Sequence, residues 1–435
     1  MHIRTVTVIG ANGTMGSNVS AIFASFGNAR VYMVARRISD AEEAKKKASL
    51  SVKAEAIQAN LFPRTYDDLA SCVSESDLVF ESVFEDFSLK EKIYRQLIPH
   101  LKENTVIATG TSGLSIDQLS ECFPDAIRKN FLGIHMYNPP YNMTLCEVIP
   151  SEFTDVDLLE EVKNYLSIQL LRNVVQVKNA PAFLGNRIGF HFINMALQYA
   201  EIYKDSGGID YIDSILGPFT GRSMAPLVTS DFVGLDVHKA IVDNLLLNTS
   251  DYAHDTFRLP SYATELINEG RLGRKKGEGL YKAITNPEGK KSIYVYDIVK
   301  KSYRQKEKYG FAFANDMITY IKIGKYEDAF NQLKENNSIE ARLCIRFLLE
   351  YIVYALVLSL DLCDDIFAAD IVMATGFSWI PPLALIDAMG GKAIVQKLIE
   401  DKYPEIGVDQ ATLQRVFLKV QHSNYDYRPF LKAKQ

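Results

Sequence analysis

The stretch IRTVTVIGANGTMG, residues 3–16, decides how the N-terminal part of this chain folds. Its first residues form an apolar strand pattern, and the glycine-rich turn that follows runs into a helical pattern. In such a strand–turn–helix unit the backbone approaches a pyrophosphate at the helix N-terminus. The spacing GxxGxxG is one residue longer in its first interval than the common GxGxxG. The predicted cofactor contacts are Gly10, Gly13, Thr14, Met15 and Gly16.

Short β-rich runs follow this turn and alternate with amphipathic helical patterns. The runs are ARVYMVA, DLVFESV, NTVIATG and FLGIHMY. Strands that alternate with helical segments build a parallel sheet with crossover helices. The pattern therefore predicts a Rossmann-like α/β domain over residues 1–180.

Helical periodicity replaces this alternation after residue 180. In NRIGFHFINMALQYAEIY, for example, apolar residues recur every three or four positions. The chain then turns polar from about residue 286, with a short β-like piece, IYVYDIV, inside the polar stretch. We predict two related all-α domains, residues 181–285 and 338–435, and a connector, residues 286–337, between them.

An internal repeat is the reason for calling these two helical domains related. Residues 207–234, GGIDYIDSILGPFTGRSMAPLVTSDFVG, are echoed by residues 368–391, AADIVMATGFSWIPPLALIDAMGG. The residues that keep their spacing are Pro226 and Asp231 in the first copy, Pro382 and Asp387 in the second. Self-similarity of this kind indicates a duplicated structural unit.

Composition and charge limit the classes of partner. The chain has 435 residues, of which 47% are hydrophobic and 23% charged, as in a globular protein. Its net charge of -5 gives no electrostatic reason to expect nucleic acid, so a small-molecule partner is expected. The five cysteines are scattered without metal-ligand spacing, which argues against a disulfide framework and against a metal site.

The most apolar stretch runs from Phe347 to Leu360 and is interrupted by Glu350. It is shorter than the ~20 apolar residues that a membrane span needs, so we interpret it as a buried core helix. The N-terminal sequence MHIRTVTVIG lacks the pattern of a secretory signal. We therefore expect a cytoplasmic protein without a membrane partner.

The end of the second predicted strand bears on cofactor choice. A NAD enzyme usually places an acid there against the ribose hydroxyls, but here Ala35 is followed by Arg36 and Arg37. Two guanidinium groups could clamp a 2′-phosphate, which favours acceptance of NADP as well as NAD. The alternative is that both arginines are solvated surface charges.

Four blocks of this chain, TGTSGLSI, FLGIHMYNPPYNMTLCEVIP, APAFLGNRIG and LVTSDFVGLD, closely resemble the L-3-hydroxyacyl-CoA dehydrogenase family. The match covers nearly the whole chain and is nearest to the dehydrogenase portion of bacterial and archaeal fusions with enoyl-CoA hydratase, although no hydratase-like segment follows. The resemblance implies helical domains like the C-terminal domain of 6-phosphogluconate dehydrogenase. It also implies an NAD(P)-dependent oxidoreductase of fatty acid metabolism, and it matches Glu85 and Lys90 to positions lining the nicotinamide pocket.

The resemblance implies a catalytic set as well. The family's catalytic histidine falls on His135 and its partner carboxylate on Glu147, while Ser112 and Asn186 match residues that contact the substrate. Oxidation of a secondary alcohol releases the hydroxyl proton, and a neutral imidazole suits its removal. His135 is the expected base, oriented by Glu147, and the other two would hold the substrate's oxygen atoms.

One departure from the family pattern keeps other functions open. The segment between the second strand and DLVFESV, RRISDAEEAKKKASLSVKAEAIQANLFPRTYDDL, is shorter than the family's helical excursion that covers CoA. A dehydrogenase of a non-CoA hydroxy acid therefore stays an alternative, as does a catalytically silent cofactor-binding protein. The sequence leaves acyl-chain length and direction open.

The two helical copies are expected to differ in role. The second copy has Ala341 and Arg342 where the first has Asn186, so it lacks the catalytic amide. Single-repeat relatives dimerise through this domain, and a fused second copy could cover the same apolar surface. We expect a packing role for it, in a monomer or a homodimer.

Overall fold

A computed structural model describes residues 1–51, 55–285, 289 and 291–434. The chain divides into two compact units, Met1–Phe183 and Leu184–Gln435. The link after the second strand and the predicted connector each include residues outside the described ranges.

In the described part of the first unit, eight strands form a sheet in the order β3-β2-β1-β4-β5-β6-β7-β8. The strands are β1 (Thr5–Ile9), β2 (Arg30–Ala35), β3 (Leu61–Thr65), β4 (Leu78–Glu81), β5 (Val106–Thr109), β6 (Phe131–Met136), β7 (Leu145–Pro150) and β8 (Asn173–Gln176). Neighbouring strands from β3 to β6 run parallel, β7 runs antiparallel to β6, and β8 runs parallel to β7. The first six strands therefore have the order of a doubly wound dinucleotide-binding sheet.

The helices described in this unit lie between the strands, as the alternation predicts. They are α1 (Thr14–Ser25), α2 (Ile38–Ser51), α3 (Glu55–Gln58), α4 (Leu69–Glu75), α5 (Phe87–Leu97), α6 (Ile116–Ser120), α7 (Asp125–Arg128) and α8 (Val156–Asn164). Strand residues such as Val8, Met33 and Ile107 are fully buried, because helices cover both faces of a parallel sheet. The predicted Rossmann-like domain is confirmed.

Strands β3, β7 and β8 lie outside the predicted set. Strand β3 contains Pro63 and lies at the edge of the sheet, where a residue without a backbone N–H costs no ladder hydrogen bond. Pairing of β7 with β6 adds an antiparallel strand beside the parallel core. These three strands depend on partners distant in sequence, which local pattern does not reveal.

The second unit is mostly helical. Its helices in the described residues are α9 (Gly185–Ile202), α10 (Ile209–Ile215), α11 (Pro226–Val233), α12 (Leu235–Asn248), α13 (Ser261–Asn268), α14 (Ala312–Lys322), α15 (Tyr326–Glu335), α16 (Ile339–Cys363), α17 (Ala368–Val372), α18 (Pro382–Ala388), α19 (Lys392–Lys402) and α20 (Gln410–Lys419). Strands β9 (Tyr281–Thr285), β10 (Lys291–Asp297) and β11 (Ser302–Gln305) form an antiparallel sheet. The predicted helical region after the Rossmann-like domain is confirmed.

The described part of the predicted connector is folded, which differs from the expected polar linker. It contributes two strands and helices α14 and α15. Helix α14 buries Phe313, Met317 and Ile321, which recur every four positions and form one apolar face. The high content of charged residues in this region reflects the solvent-facing sides of these elements.

Each copy of the internal repeat contains an equivalent hydrogen bond between an aspartate and the start of a helix. In the first copy the Asp213 carboxylate accepts the backbone N–H of Leu227 at 2.8 Å, in the first turn of α11. In the second copy the Asp370 carboxylate accepts the backbone N–H of Leu383 at 2.8 Å, in the first turn of α18. Both helices begin with a proline, which suits the first turn because its missing N–H would have no intrahelical partner. The sequence echo thus corresponds to the same local structure.

Helix α16 is longer than the apolar stretch that predicted it. It has 25 residues and a mean hydropathy of 2.0 over its most apolar window, so it is long and apolar enough to cross a membrane. In the described part of the chain, up to two segments meet this criterion. In this structure 89% of that window is buried inside the protein. Such burial is typical of a core helix, in agreement with the interpretation from sequence.

Candidate active site

The glycine turn after β1 is built for a close backbone approach. Gly10 has φ of +78°, and a Cβ atom there would lie 2.5 Å from the carbonyl oxygen of Ser82. A Cβ at Gly16 would lie 2.4 Å from the carbonyl oxygen of Gly10, so the turn packs directly against α1.

The N-terminus of α1 fits a phosphate group. Gly13 precedes the helix in an extended conformation and caps it with no side chain, and Thr14 and Met15 begin the helix. The first turn carries no acidic residue, so its free N–H groups and the positive end of the helix dipole face no competing carboxylate. The turn therefore suits the pyrophosphate of a dinucleotide, although direct contacts stay a prediction.

Strand pairing brings His135 and Glu147 together. They are directly opposite each other in the antiparallel pair of β6 and β7, so their side chains share one face of the sheet. Nδ1 of His135 lies 2.7 Å from the carboxylate of Glu147. The carboxylate is fully buried and the imidazole is 5% exposed. The carboxylate can only accept, so Nδ1 carries the proton and Nε2 offers its lone pair.

Ser112 completes this arrangement. It follows β5, and its hydroxyl lies 3.1 Å from Nε2 of His135. Strands β5 and β6 are parallel neighbours, so their carboxyl ends bring the two residues to the same edge of the sheet. The hydroxyl and the basic nitrogen can contact one substrate oxygen there.

Two aromatic residues of the site lie outside the predicted set. The hydroxyl of Tyr137 donates to the Glu147 carboxylate at 3.0 Å, and its ring lies edge-on to His135 with centroids 4.8 Å apart. The ring of Phe183 lies 5.4 Å from that of His135. Tyr137 stands two positions after His135, and this alternation is the signal that could have identified it.

Glu85 and Lys90 occupy different environments. One carboxylate oxygen of Glu85 accepts the hydroxyl of Thr111 at 2.5 Å and the backbone N–H groups of Ser112 and Gly113 at 2.9 and 3.0 Å. Glu85 therefore holds the loop that carries Ser112. Its side chain is 41% exposed, so it can also face a bound molecule.

Lys90 is fully buried rather than exposed in a pocket. Its ammonium donates to both carboxylate oxygens of Glu81 at 2.8 and 2.9 Å and lies 3.6 Å from Glu85. Glu81 also accepts the hydroxyl groups of Tyr94 and Thr109, each at 2.8 Å. A side chain with no exposed surface does not line a cofactor pocket in this geometry, so Lys90 acts on the site through the two carboxylates.

The two arginines after β2 also differ. The guanidinium of Arg37 donates to both carboxylate oxygens of Asp40, at 3.0 and 2.9 Å. This pairing with Arg37 lowers the pKa of the Asp40 carboxyl. The fork of Arg37 is therefore occupied by a carboxylate, and Arg36, which is exposed, is the remaining candidate for a ribose phosphate.

Asn186 belongs to the second unit. It lies in the first turn of α9 and is 8% exposed. Its predicted role in holding substrate stays a prediction. Among the described residues, no group of three or more histidine, cysteine, aspartate or glutamate side chains could hold a metal ion.

Known proteins resemble both parts of this chain. A family model described as the NAD binding domain of 3-hydroxyacyl-CoA dehydrogenase matches residues 5–180. A second model, described as the C-terminal domain of 3-hydroxyacyl-CoA dehydrogenase, matches residues 183–283.

The curated relatives include longer and shorter proteins. A probable 3-hydroxyacyl-CoA dehydrogenase of Bacillus subtilis is 29% identical over 425 residues, covering 91% of this chain and 52% of the relative. The mitochondrial hydroxyacyl-coenzyme A dehydrogenase of Sus scrofa is 30% identical over 294 residues, covering 64% of this chain and 91% of the relative. The chain thus spans about half the length of its relatives from Bacillus and Rickettsia.

Solved structures show the same fold. The (S)-3-hydroxybutyryl-CoA dehydrogenase of Ralstonia eutropha is 31% identical with a TM-score of 0.55, covering 64% of this chain and 98% of that protein. The 3-hydroxybutyryl-CoA dehydrogenase of Escherichia coli K12 shares the fold with a TM-score of 0.69 at 19% identity, over 96% of this chain and 99% of that protein. Two domain models of one family match consecutive parts of the chain. The chain also covers 91% of a relative to which it is 30% identical. The chain therefore belongs to the 3-hydroxyacyl-CoA dehydrogenase family.

Proposed function

We propose that this chain oxidises the secondary alcohol of a 3-hydroxyacyl thioester, or reduces the matching ketone, by hydride exchange with a nicotinamide dinucleotide. The observation that carries this proposal is the chain of contacts from Ser112 through His135 to Glu147, with distances of 3.1 and 2.7 Å. A serine hydroxyl, a basic imidazole nitrogen and an orienting carboxylate are the groups that proton removal from an alcohol requires.

In the proposed reaction His135 takes the hydroxyl proton of the substrate on Nε2. The imidazolium that forms is stabilised by the buried Glu147 carboxylate on Nδ1, and the Tyr137 hydroxyl holds that carboxylate in place. The Ser112 hydroxyl donates to the substrate oxygen, which keeps the carbinol carbon in position. A bound nicotinamide ring supplies the hydride acceptor.

The family match supports NAD as a cofactor, and acceptance of NADP is a proposal that rests on the chain's own residues. The family model for this domain is that of an NAD binding domain. Arg36 and Arg37 are both exposed, and only Arg37 is paired with Asp40 in the described residues. We infer that any preference for a 2′-phosphate comes from Arg36 alone. An Arg36→Ala variant should then weaken NADP binding and leave NAD binding nearly unchanged, which fluorescence titration of the two reduced cofactors measures.

A second candidate substrate is a hydroxy acid without CoA. The link between β2 and β3 is short, with α2 and α3 as its described helices. This favours a site with less cover for a CoA moiety. Parallel assays with 3-hydroxybutyryl-CoA and free 3-hydroxybutyrate distinguish the two substrates.

The His135→Gln variant tests the mechanism. We expect turnover to fall about 10²–10⁴-fold, since general-base catalysis contributes that much, while dinucleotide affinity stays nearly intact. His100→Gln is a matched control, because His100 is exposed on the surface. Near-normal turnover in the His135 variant would contradict the mechanism. Cofactor binding without turnover of either substrate in the unmodified chain would favour the silent cofactor-binding alternative.

A cytoplasmic location and a monomeric or dimeric state remain proposals beside this activity.

A further inference from the structure

A cleft of about 490 Å³ lies in the second unit, and none of its lining residues is proposed for catalysis. It is bordered by the end of α15, the first turns of α16 and the end of α19. Two tyrosines also line it, Tyr199 of α9 and Tyr203, which follows that helix. Among the described residues, its charged lining consists of Lys334, Arg342, Arg346, Lys402 and Glu405. We call it the cationic cleft. Four positive side chains and one negative one surround it in a chain whose net charge is -5.

Arg346 has unused hydrogen-bonding capacity in this cleft. Its Nε atom is buried and has no hydrogen-bond partner among the described residues. Its terminal nitrogens lie 3.8 Å from Glu350 and 3.9 Å from Glu405, beyond direct hydrogen-bond distance. The guanidinium also lies over the ring of Tyr199, 5.7 Å from its centroid. The Nε atom is closed to solvent, so a ligand in the cleft would reach this guanidinium through its terminal nitrogens, since the side chain is 31% exposed.

The other cations add exposed donors around the same space. Arg342 stands one helical turn before Arg346 on α16 and is exposed, as is Lys402. Lys334 donates to the backbone carbonyl of Met389 at 2.7 Å, which leaves two of its three protons available. Charged side chains from three helices thus converge on one volume of the size of a small-molecule site.

We propose that the cationic cleft binds the oligophosphate group of a small phosphorylated ligand. Arginine donates to phosphate through a planar fork, and lysine adds a point charge, so the residue types present match this ligand chemistry. The shared chemistry is a chain of phosphates, either free or attached to a nucleoside.

The internal repeat allows the start of α16, which borders this cleft, to be compared with the first copy. By sequence, Ala341 and Arg342 stand in the second copy where the first copy has Asn186. The amide expected to contact substrate in the first copy therefore has no counterpart in the second. Ligand binding in the cationic cleft would give the second copy a role beyond both the proposed reaction and the packing role expected from sequence.

Calorimetric titration of the full chain with inorganic tripolyphosphate and with ATP tests this proposal. Saturating NAD is present throughout, so that the glycine turn is occupied. We expect one tripolyphosphate per chain, with binding weakened about tenfold or more in an R342A/K402A variant and further weakened by salt. The matched control is K392A/K397A, which removes two exposed lysines of α19 outside the cleft.

The comparison of ligands identifies the source of the phosphate. Tighter binding of ATP supports a nucleotide ligand, and equal binding supports free oligophosphate. Equal affinity in the unmodified chain and in the R342A/K402A variant, or no binding of either probe at millimolar concentration, would overturn the proposal. Thermal unfolding followed by Trp379 fluorescence verifies that the variants keep the fold of the second unit. The proposed dehydrogenase activity should be unchanged in these variants. Absence of that activity from the unmodified chain would contradict the proposed function and not the phosphate site.

Discussion

Replacement of Lys90 by methionine should destabilise the first unit and slow turnover together. Methionine keeps most of the length of the side chain and removes its charge. The ammonium of Lys90 is fully buried and donates to Glu81 at 2.8 and 2.9 Å, so the variant leaves a buried carboxylate without its counter-charge. Loss of one partner of a buried ion pair costs about 3–5 kcal/mol of unfolding free energy.

The structure places the expected loss at the lower end of that range. The Glu81 carboxylate keeps three other donors, the backbone N–H of Val83 at 2.6 Å and the hydroxyl groups of Tyr94 and Thr109 at 2.8 Å each. These bonds continue to compensate part of its desolvation. We therefore expect a loss of about 3 kcal/mol, which for a unit of this size lowers its melting temperature by about 6–12 °C.

The effect on turnover should follow from the position of Glu85. Its carboxylate lies 3.6 Å from the Lys90 ammonium and holds the backbone of Ser112 at 2.9 Å. Without the cation, two nearby carboxylates repel each other and the loop that carries Ser112 is less well held. The expected result is a fall in turnover with a smaller change in cofactor affinity.

Thermal unfolding followed by circular dichroism, with Trp379 fluorescence as an internal standard, measures this loss. Trp379 is the chain's single tryptophan and lies buried in the second unit, so its transition should move little. Lys92→Met is the matched control on the same helix, since Lys92 is exposed. A Glu81→Gln change added to the methionine variant should restore part of the stability. A loss below about 1 kcal/mol, or a double variant less stable than the sum of the single changes, would refute the reasoning.

Three further predictions concern other parts of the chain. Gly16→Ala should weaken dinucleotide binding at least about tenfold in a fluorescence titration, because its Cβ would lie 2.4 Å from the Gly10 carbonyl oxygen. Tyr354→Phe should cost about 1–2 kcal/mol in urea unfolding, because the Tyr354 hydroxyl accepts from Arg187 at 3.1 Å and donates to Asp251 at 3.0 Å, and an unchanged free energy of unfolding would contradict this contribution. Burial lowers the pKa of His238 to about 3 from 6.5, so its contribution to stability is complete above pH 6.5 and is lost as the pH falls toward 3, by about 1.4 kcal/mol per pH unit. His238→Gln should flatten this dependence in urea unfolding at pH 7.5 and 5.5, and an unchanged slope would contradict the assignment.

Local sequence pattern was sufficient for the elements whose stability is local. The apolar run ending at Gly10 and the helical pattern after Gly16 predict β1, the turn and α1, because strand alternation, glycine geometry and helical periodicity are encoded within about twenty residues. The repeat was visible for a similar reason, since Asp213 and Asp370 each cap a helix that begins with proline about a dozen residues later in the chain.

The candidate site was named through family resemblance and not through spacing. His135 and Glu147 are separated by 12 positions, and only the antiparallel pairing of β6 with β7 makes them direct neighbours. Tyr137 joins them for the same reason, because it lies on the face that this pairing creates. A residue pattern alone does not specify which strands pair.

Tertiary structure also decided the environment of charged residues. Lys90 looks like any lysine of an amphipathic helix, yet the fold buries it against Glu81, nine positions away. The sequence by itself determined the alternation of five strands with helices in the Rossmann-like domain, the glycine turn and the duplication of the helical part. Burial, ion pairing and the conversion of a polar connector into packed strands and helices were decided only by the folded chain, because each depends on contacts between residues distant in sequence, whose free energy no local pattern contains.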